Sequence, residues 1–377
     1  MKGKQGMVCM GLLLVLSSCH TGKQITASGL QRKDFQTEVN GQHTDLFTLS
    51  NKQGMEVCIT NYGARVVSIL VPDRNGKRED VVCGFSTITE YMEQRQNFGS
   101  TVGRYIGRIL NARFTLDGVE YKLVPNNGKS GHISHGGNPG FADRIWKVEQ
   151  ADTHRVRLSY LSPDGENGFP GNLKVTLVYS LGEDDNALDL TYEATTDAPT
   201  VLNLSHHSFF NISGNFTKSV EDQQLWVDAD RFTPYDDKKC VTGEYLQVAG
   251  TPLDFRMPHA LGECIDADHP QLKVVNGYDH TWELNTKGDD TRPAAWVYDP
   301  ASGRKMEIFT TEPGMQIYTG NGLKGKMTGK RGIAYPFRSA VCFETMHFQD
   351  SPNQPGFPST VLRPGEVFRS HTVYKFE

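Results

Sequence analysis

The stretch Lys174-Val-Thr-Leu-Val-Tyr-Ser-Leu-Gly-Glu-Asp-Asp-Asn-Ala-Leu-Asp-Leu-Thr-Tyr-Glu193 decides the fold. Residues 174–180 and 188–193 are rich in β-branched, aromatic and leucine side chains. Between them, 182–186 carry Gly, Asp and Asn, the residues that tolerate a tight reversal. Two such runs around such a turn predict a β-hairpin. The same pattern recurs outward along the chain. Residues 298–303 join 295–297 to 305–309, 55–60 alternate, and 65–71 form an apolar strand run that ends in the turn 72–76. One short helix is predicted, with Thr87 as its N-cap and residues 88–95 as its body. No long amphipathic helices alternate with the strands, which argues against a parallel α/β fold. The expectation is an all-β chain folded as one large antiparallel β-sandwich with few short helices.

Composition agrees with many short strands and turns. The 377 residues include 38 Gly and 18 Pro. Lys plus Arg number 39 against 44 Asp plus Glu, a net charge of -5 that offers no basic surface to nucleic acid. Lys2 and Lys4 precede an apolar run at 7–16, and Ser17-Ser18-Cys19 follow. The run is too short to span a bilayer and has the form of a signal peptide. Its end resembles a bacterial lipobox, with lipid expected on Cys19; an ordinary secretory signal is the alternative. This divides the chain into a signal segment at 1–18, a flexible tether at 19–40 and one folded domain at 41–377. No acidic residue closely follows Cys19, so an exported, periplasm-facing membrane lipoprotein is expected. Five cysteines remain beyond Cys19, at scattered spacings that match no zinc pattern, and free thiols are expected.

Five clusters carry candidate chemistry. The first is Ala340-Val-Cys-Phe-Glu344, an apolar strand-like run containing a carboxylate. Alternation places Glu344 on the face of Ala340, Cys342 and Met346, where a charge is costly unless paired or used. The second is Thr200-Val-Leu-Asn-Leu-Ser-His-His-Ser-Phe-Phe-Asn-Ile-Ser-Gly214. Here Val201, Asn203, Ser205, His207 and Phe209 share one face, and His206 points to the other. Such a line reads as a polar cleft floor or as a satisfied structural histidine. The adjacent pair makes a poor metal site. The third is Gly131-His-Ile-Ser-His135-Gly-Gly-Asn138, a turn that leaves an imidazole uncrowded. The fourth, Gly103-Arg-Tyr-Ile-Gly107-Arg108-Ile-Leu-Asn-Ala-Arg113, lacks the strand–loop–helix context of a phosphate loop, and its arginines suit hydroxyl groups or a surface. The fifth is Asn276-Gly-Tyr-Asp279-His-Thr-Trp282, whose Asp could hold a hydroxyl pair or cap a turn. Trp282 and Tyr318 suit either a sugar face or a core.

Taken in order, these clusters resemble the aldose 1-epimerases, the galactose mutarotase family. The resemblance runs from Asn61-Tyr-Gly-Ala64 through Gly103-Arg104…Arg108, His135-Gly-Gly137 and Asn203…His207-Ser-Phe-Phe-Asn211. It continues with Gly277-Tyr-Asp279-His280, Glu312-Pro-Gly314…Gln316-Ile-Tyr-Thr-Gly-Asn321 and Glu344-Thr…Asp350-Ser-Pro-Asn353, and closes with Leu362-Arg-Pro-Gly365-Glu366…Tyr374-Lys-Phe376. It covers roughly residues 45–377. The resemblance implies a galactose mutarotase-like supersandwich that interconverts the α and β anomers of free aldohexoses such as galactose and glucose, feeding hexose metabolism. It implies Glu344 as general base and His207 as general acid, with His135, Arg108, Asp279 and Gln316 around the sugar. It implies no cofactor, no metal, a free monosaccharide as partner, and a monomer or weak dimer that meets the membrane only through its N-terminal lipid.

The chain departs from the family at four places. Gly107 and His206 each stand where Asn is usual, Phe209 where Tyr is common, and Met346 where Gln is usual. Gly107 is expected to remove one hydrogen-bonding group from the sugar site, and His206 to add one. A carboxylate near His207 is expected to raise its pKa and fit it for acid work. Rival readings are a glycoside hydrolase pairing Asp279 with Glu344, a non-catalytic carbohydrate-binding β-sandwich, and a hexose-6-phosphate 1-epimerase, which would want clustered cations.

Overall fold

The predicted hairpin forms as its alternation requires. Strands Leu173–Leu181 and Ala187–Thr196 pair antiparallel, with Leu181 opposite Leu188 and Leu173 opposite Thr196. Along the first of them Leu173, Val175, Leu177, Tyr179 and Leu181 are buried, and the residues between are more exposed. The computed structural model describes residues 24–377, so the expected signal segment and Cys19 lie outside the described residues.

This hairpin sits inside a nine-stranded antiparallel sheet. Its order is Lys147–Ala151, Arg155–Ser162, Leu173–Leu181, Ala187–Thr196, Phe368–Phe376, Lys305–Thr310, Ala295–Tyr298, Gln224–Val227 and His259–Ala260. The C-terminal strand thus enters the middle of the sheet, between Ala187–Thr196 and Lys305–Thr310. A six-stranded antiparallel sheet faces it, in the order Phe209–Phe210, Val341–Met346, Gly314–Tyr318, Asp279–Glu283, Arg231–Thr233 and Leu246–Gln247. Apolar side chains of both sheets form one core, in which Leu177, Leu190, Ile308 and Tyr374 meet Trp282, Met315, Ile317 and Phe343. The Tyr374 hydroxyl crosses that core and donates to the Phe343 carbonyl at 2.9 Å. This is the expected all-β sandwich. A four-stranded sheet of Leu46–Ser50, Glu56–Thr60, Arg65–Pro72 and Arg78–Asp80 packs beside it.

The helix expected at 88–95 is Ile88–Gln94, with a capping box between Thr87 and Glu90. The other α-helices among the described residues, Leu261–Cys264 and Pro270–Val275, are shorter still. One expectation needs correction. The stretch expected as a tether at 19–40 is packed from Gln24 onward. Ile25 bridges to Gln31, Arg32–Phe35 form a 3₁₀ turn, and Phe35 is fully buried. The backbone N–H of Ala27 donates to Glu56 at 2.7 Å, which ties the segment to the four-stranded sheet. A polar composition concealed two anchors, Leu30 and Phe35, that find a core only once the sheet is formed.

Candidate active site

The six-stranded sheet has one apolar face and one polar face, and the polar face is where chemistry is possible. Residues directly opposite each other in an antiparallel pair share a face. Thr281, Gln316 and Glu344 lie in one such row, and Asp279, Tyr318 and Cys342 in the next. Their strand neighbours Trp282, Met315, Ile317 and Phe343 turn into the core. The run around Glu344 is wholly buried, Val341 to Met346, because one face packs on the sandwich and the other lies at the bottom of a cleft.

His207 comes to this floor from the strand Ser205–His207, which pairs with Ser100–Val102. Asn203 fixes its approach. The Asn203 side chain accepts from the His347 N–H at 3.0 Å and donates to the His347 carbonyl at 3.0 Å. That pins the chain just beyond Glu344 to the chain just before His207. His207 Nε2 lies 3.5 Å from Glu344 Oε1, and its ring stacks on Phe209 at 5.0 Å with planes 8° apart. The His135 ring stands edge-on 5.5 Å away. His135 Nδ1 accepts from the Gly107 N–H at 3.4 Å, which leaves its proton on Nε2.

One cleft is lined by Arg108, His135, His207, Asp279, Gln316 and Glu344, together with Asn97, Gly107, Tyr318, Met346 and Gln349. All six residues singled out as a sugar site therefore meet in one place. Gln316 Nε2 donates to Asp279 Oδ1 at 2.6 Å, and its Oε1 accepts from Thr281 Oγ1 at 2.5 Å. Asp279 is thereby oriented by a neutral amide, with Arg108 supplying a favourable charge.

The electrostatics differ from expectation at His207. Burial, then the neighbouring His135, pushes its pKa well below the ordinary value. Burial, then the nearby Asp279, pushes Glu344 well above the ordinary carboxyl value. Burial also drives His135 down to about 4, with Arg108 adding to the effect. The anticipated rise at His207 fails because removing an imidazolium from water outweighs a carboxylate that sits at the limit of hydrogen-bond range. The two shifts run in opposite directions, and both weaken the ordinary preference for a proton on the imidazole over the carboxyl.

His206 was expected to add a group to this site. Instead it turns into the sandwich, with Nε2 2.6 Å from Ser208 Oγ and its ring between Tyr179 and Tyr374. Trp282 is likewise core, whereas Tyr318 borders the cleft. Arg104 serves neither sugar nor surface. It is buried and donates to the carbonyls of Ser162, Pro163 and Pro170. Sequence reasoning gave no role to Gln349, Tyr235 or Asn97, which lie in loops where alternation has no meaning. Among the described residues, His207, Cys342 and Glu344 offer three metal-ligand atoms within 4.8 Å of one another. Burial holds the Cys342 thiol far above its ordinary pKa, so it is protonated and a poor ligand. Cys58, Cys83, Cys240, Cys264 and Cys342 are free thiols, the first two and the last buried.

The chain is similar to known proteins over most of its length. The family model described as aldose 1-epimerase matches residues 45–375. Galactose mutarotase of Bos taurus is 40% identical over 331 residues, covering 88% of this chain and 93% of its own. Aldose 1-epimerase of Escherichia coli strain K12 is 36% identical over 340 residues, covering 89% and 96%. The crystal structure of an aldose epimerase homologue from C. elegans superposes with a TM-score of 0.81 at 31% identity, covering 89% of this chain and 99% of that one. Galactose 1-epimerase from Lactobacillus acidophilus gives 0.78 at 28% identity, covering 90% and 96%.

Proposed function

The chain belongs to the aldose 1-epimerase family of isomerases, and from that premise we propose that it interconverts the α and β anomers of free aldohexoses, galactose and glucose among them. The observation that carries the reading is the 3.5 Å contact between His207 Nε2 and Glu344 Oε1 on the cleft floor. Glu344 takes the proton from the anomeric hydroxyl, and His207 delivers one to the ring oxygen. The bond from C1 to the ring oxygen breaks as the C1–O1 bond becomes a carbonyl. C1 turns about its bond to C2, and closure on the other face returns both protons with the roles exchanged. Through the step the pair holds one proton, which His207 gives up as Glu344 gains its own. Arg108, His135, Asp279 and Gln316 orient the sugar hydroxyls. Arg108 is the sole Lys or Arg among the lining residues, which favours a free sugar over a hexose phosphate.

Polarimetry with freshly dissolved α-galactose and α-glucose tests the reading. Purified protein should speed the approach to anomeric equilibrium, and failure with every free aldose would refute it. We further propose that residues 1–18 are a signal and that Cys19 carries lipid, so that a monomer or weak dimer works in the periplasm and feeds hexose metabolism. Labelling with a palmitate analogue that persists after Cys19→Ser would overturn the anchor.

A further inference from the structure

Two cleft positions far apart in sequence compete for one space. Gly107 has φ of +75°, the left-handed region that Gly adopts freely and that Asn tolerates best among the rest. A Cβ placed there would lie 2.5 Å from Cγ of Gln349 and 3.1 Å from its Cδ. Any side chain at 107 and the present side chain at 349 therefore exclude one another. Gln349 uses the opening. It is 4% exposed and lines the cleft beside Gly107, Arg108 and Gln316. Its Nε2 donates to Tyr235 Oη at 2.6 Å and to Gln316 Oε1 at 3.3 Å. Its Oε1 accepts from the Arg108 backbone N–H at 3.3 Å, a long bond that leaves a second lone pair of the carbonyl free. The amide thus joins Arg108 to the chain Gln316–Asp279, so three sugar-site residues depend on where it stands.

We propose that Gln349 is a sugar-contacting residue, supplying through the space above Gly107 the hydrogen-bonding group that position 107 lacks, and that positions 107 and 349 jointly set which aldose is accepted. The inference rests on the mutarotase reading above. A hydroxyl lying between Arg108 and Gln316 donates to the free lone pair of this carboxamide. A purely space-filling role would make no distinction among sugars of equal size.

The test is a steady-state comparison of wild type with Gln349→Leu on galactose, glucose and a panel of their monodeoxy derivatives. Leu fills similar volume and removes the amide. The expected result is a KM about 10-fold higher for the full sugars, the scale of one lost hydrogen bond, with kcat nearly unchanged. For one deoxy sugar, the one lacking the contacted hydroxyl, the rise in KM from wild type to variant should be smallest. A second experiment guards against misfolding. Gly107→Asn alone should lower Tm and activity, because its side chain meets Gln349. Gly107→Asn with Gln349→Ala should recover both and alter the galactose-to-glucose preference. A folded Gln349→Leu protein with wild-type KM on every sugar overturns the inference, as does strict additivity of the 107 and 349 substitutions. Wild-type protein inactive on all free aldoses breaks the mutarotase reading instead, so the two failures are distinct.

Discussion

Two Glu–His pairs meet where Glu344 and His347 stand three residues apart on one chain segment, and they behave in opposite ways. Glu312 and His347 touch at 2.7 Å, and Glu344 and His207 stand 3.5 Å apart. Burial disfavours a charge on His347, yet its hydrogen bond and charge interaction with Glu312 prevail, and its pKa rises. Burial wins at His207, where the second neighbour is another histidine. The Glu344 side is burdened likewise by Asp279. The first pair is a fixed ion pair, its imidazole 23% exposed to water. The second is held slightly apart, nearly buried, and flanked by groups of its own kind. The same two residue types become either a clamp or, in the proposed mechanism, a proton exchanger according to contact distance and neighbours.

Exchanging the carboxylates tests that contrast most severely. Glu344→Gln and His207→Asn should each lower kcat by about 10²- to 10⁴-fold with sugar binding retained, while Glu312→Gln keeps kcat close to wild type. Comparable losses from both carboxylates would erase the distinction. Stability should reverse the order. Glu312→Gln is expected to cost about 1–3 kcal/mol in chemical denaturation, since it breaks a charged hydrogen bond and strands a largely buried imidazole. That cost has a definite pH dependence. A raised folded pKa on His347 gives stability that is complete below its ordinary value of 6.5 and lost as pH rises through the raised one. The gap in Tm between wild type and Glu312→Gln should therefore be wide at mildly acidic pH and close in alkali; a constant gap would deny that this pair is ionised.

The reactive pair should show its own signature in kcat/KM. Activity needs the pair to carry one proton, so the profile should be a bell. Its acid limb should fall below the ordinary 6.5 of histidine, and its alkaline limb above the ordinary 4.5 of a glutamate, following the two directions of shift. A profile flat across that range would end the single-proton account. The smallest effect concerns Glu344 itself. Its carboxyl is raised, so its ionisation opposes folding as pH climbs, and Glu344→Gln should gain about 1 kcal/mol at slightly alkaline pH. A loss there would mean that Glu344 is held as a stabilising ion.

The sandwich was legible in the chain because hairpins are local: 174–193 and 295–309 name their own partners, and Thr87 with Glu90 names its helix. The six cleft residues were legible through the order of motifs, since no single cluster distinguishes a cleft floor from a satisfied core. Alternation correctly separated His206 from His207, yet it could not say what lay above either face. The pairing of Gly107 with Gln349 was hidden, because Gln349 follows a strand end and its neighbour is hundreds of residues away. The packing of residues 24–40 was hidden for a related reason: Leu30 and Phe35 are too few to announce a core, and they borrow one from elsewhere. The direction of the His207 shift was missed because a sequence lists the nearby carboxylate but not the loss of water.

The double hydrogen bond from Asn203 to the His347 backbone bears on the entropy of turnover. Both reactive groups stand on strands, and this amide clasps the two strands like one more rung of a ladder. The conformational freedom needed to align acid and base was therefore surrendered once, during folding, and is not lost again with each sugar. In the proposed mechanism, what moves is the substrate, through a half-turn about C1–C2.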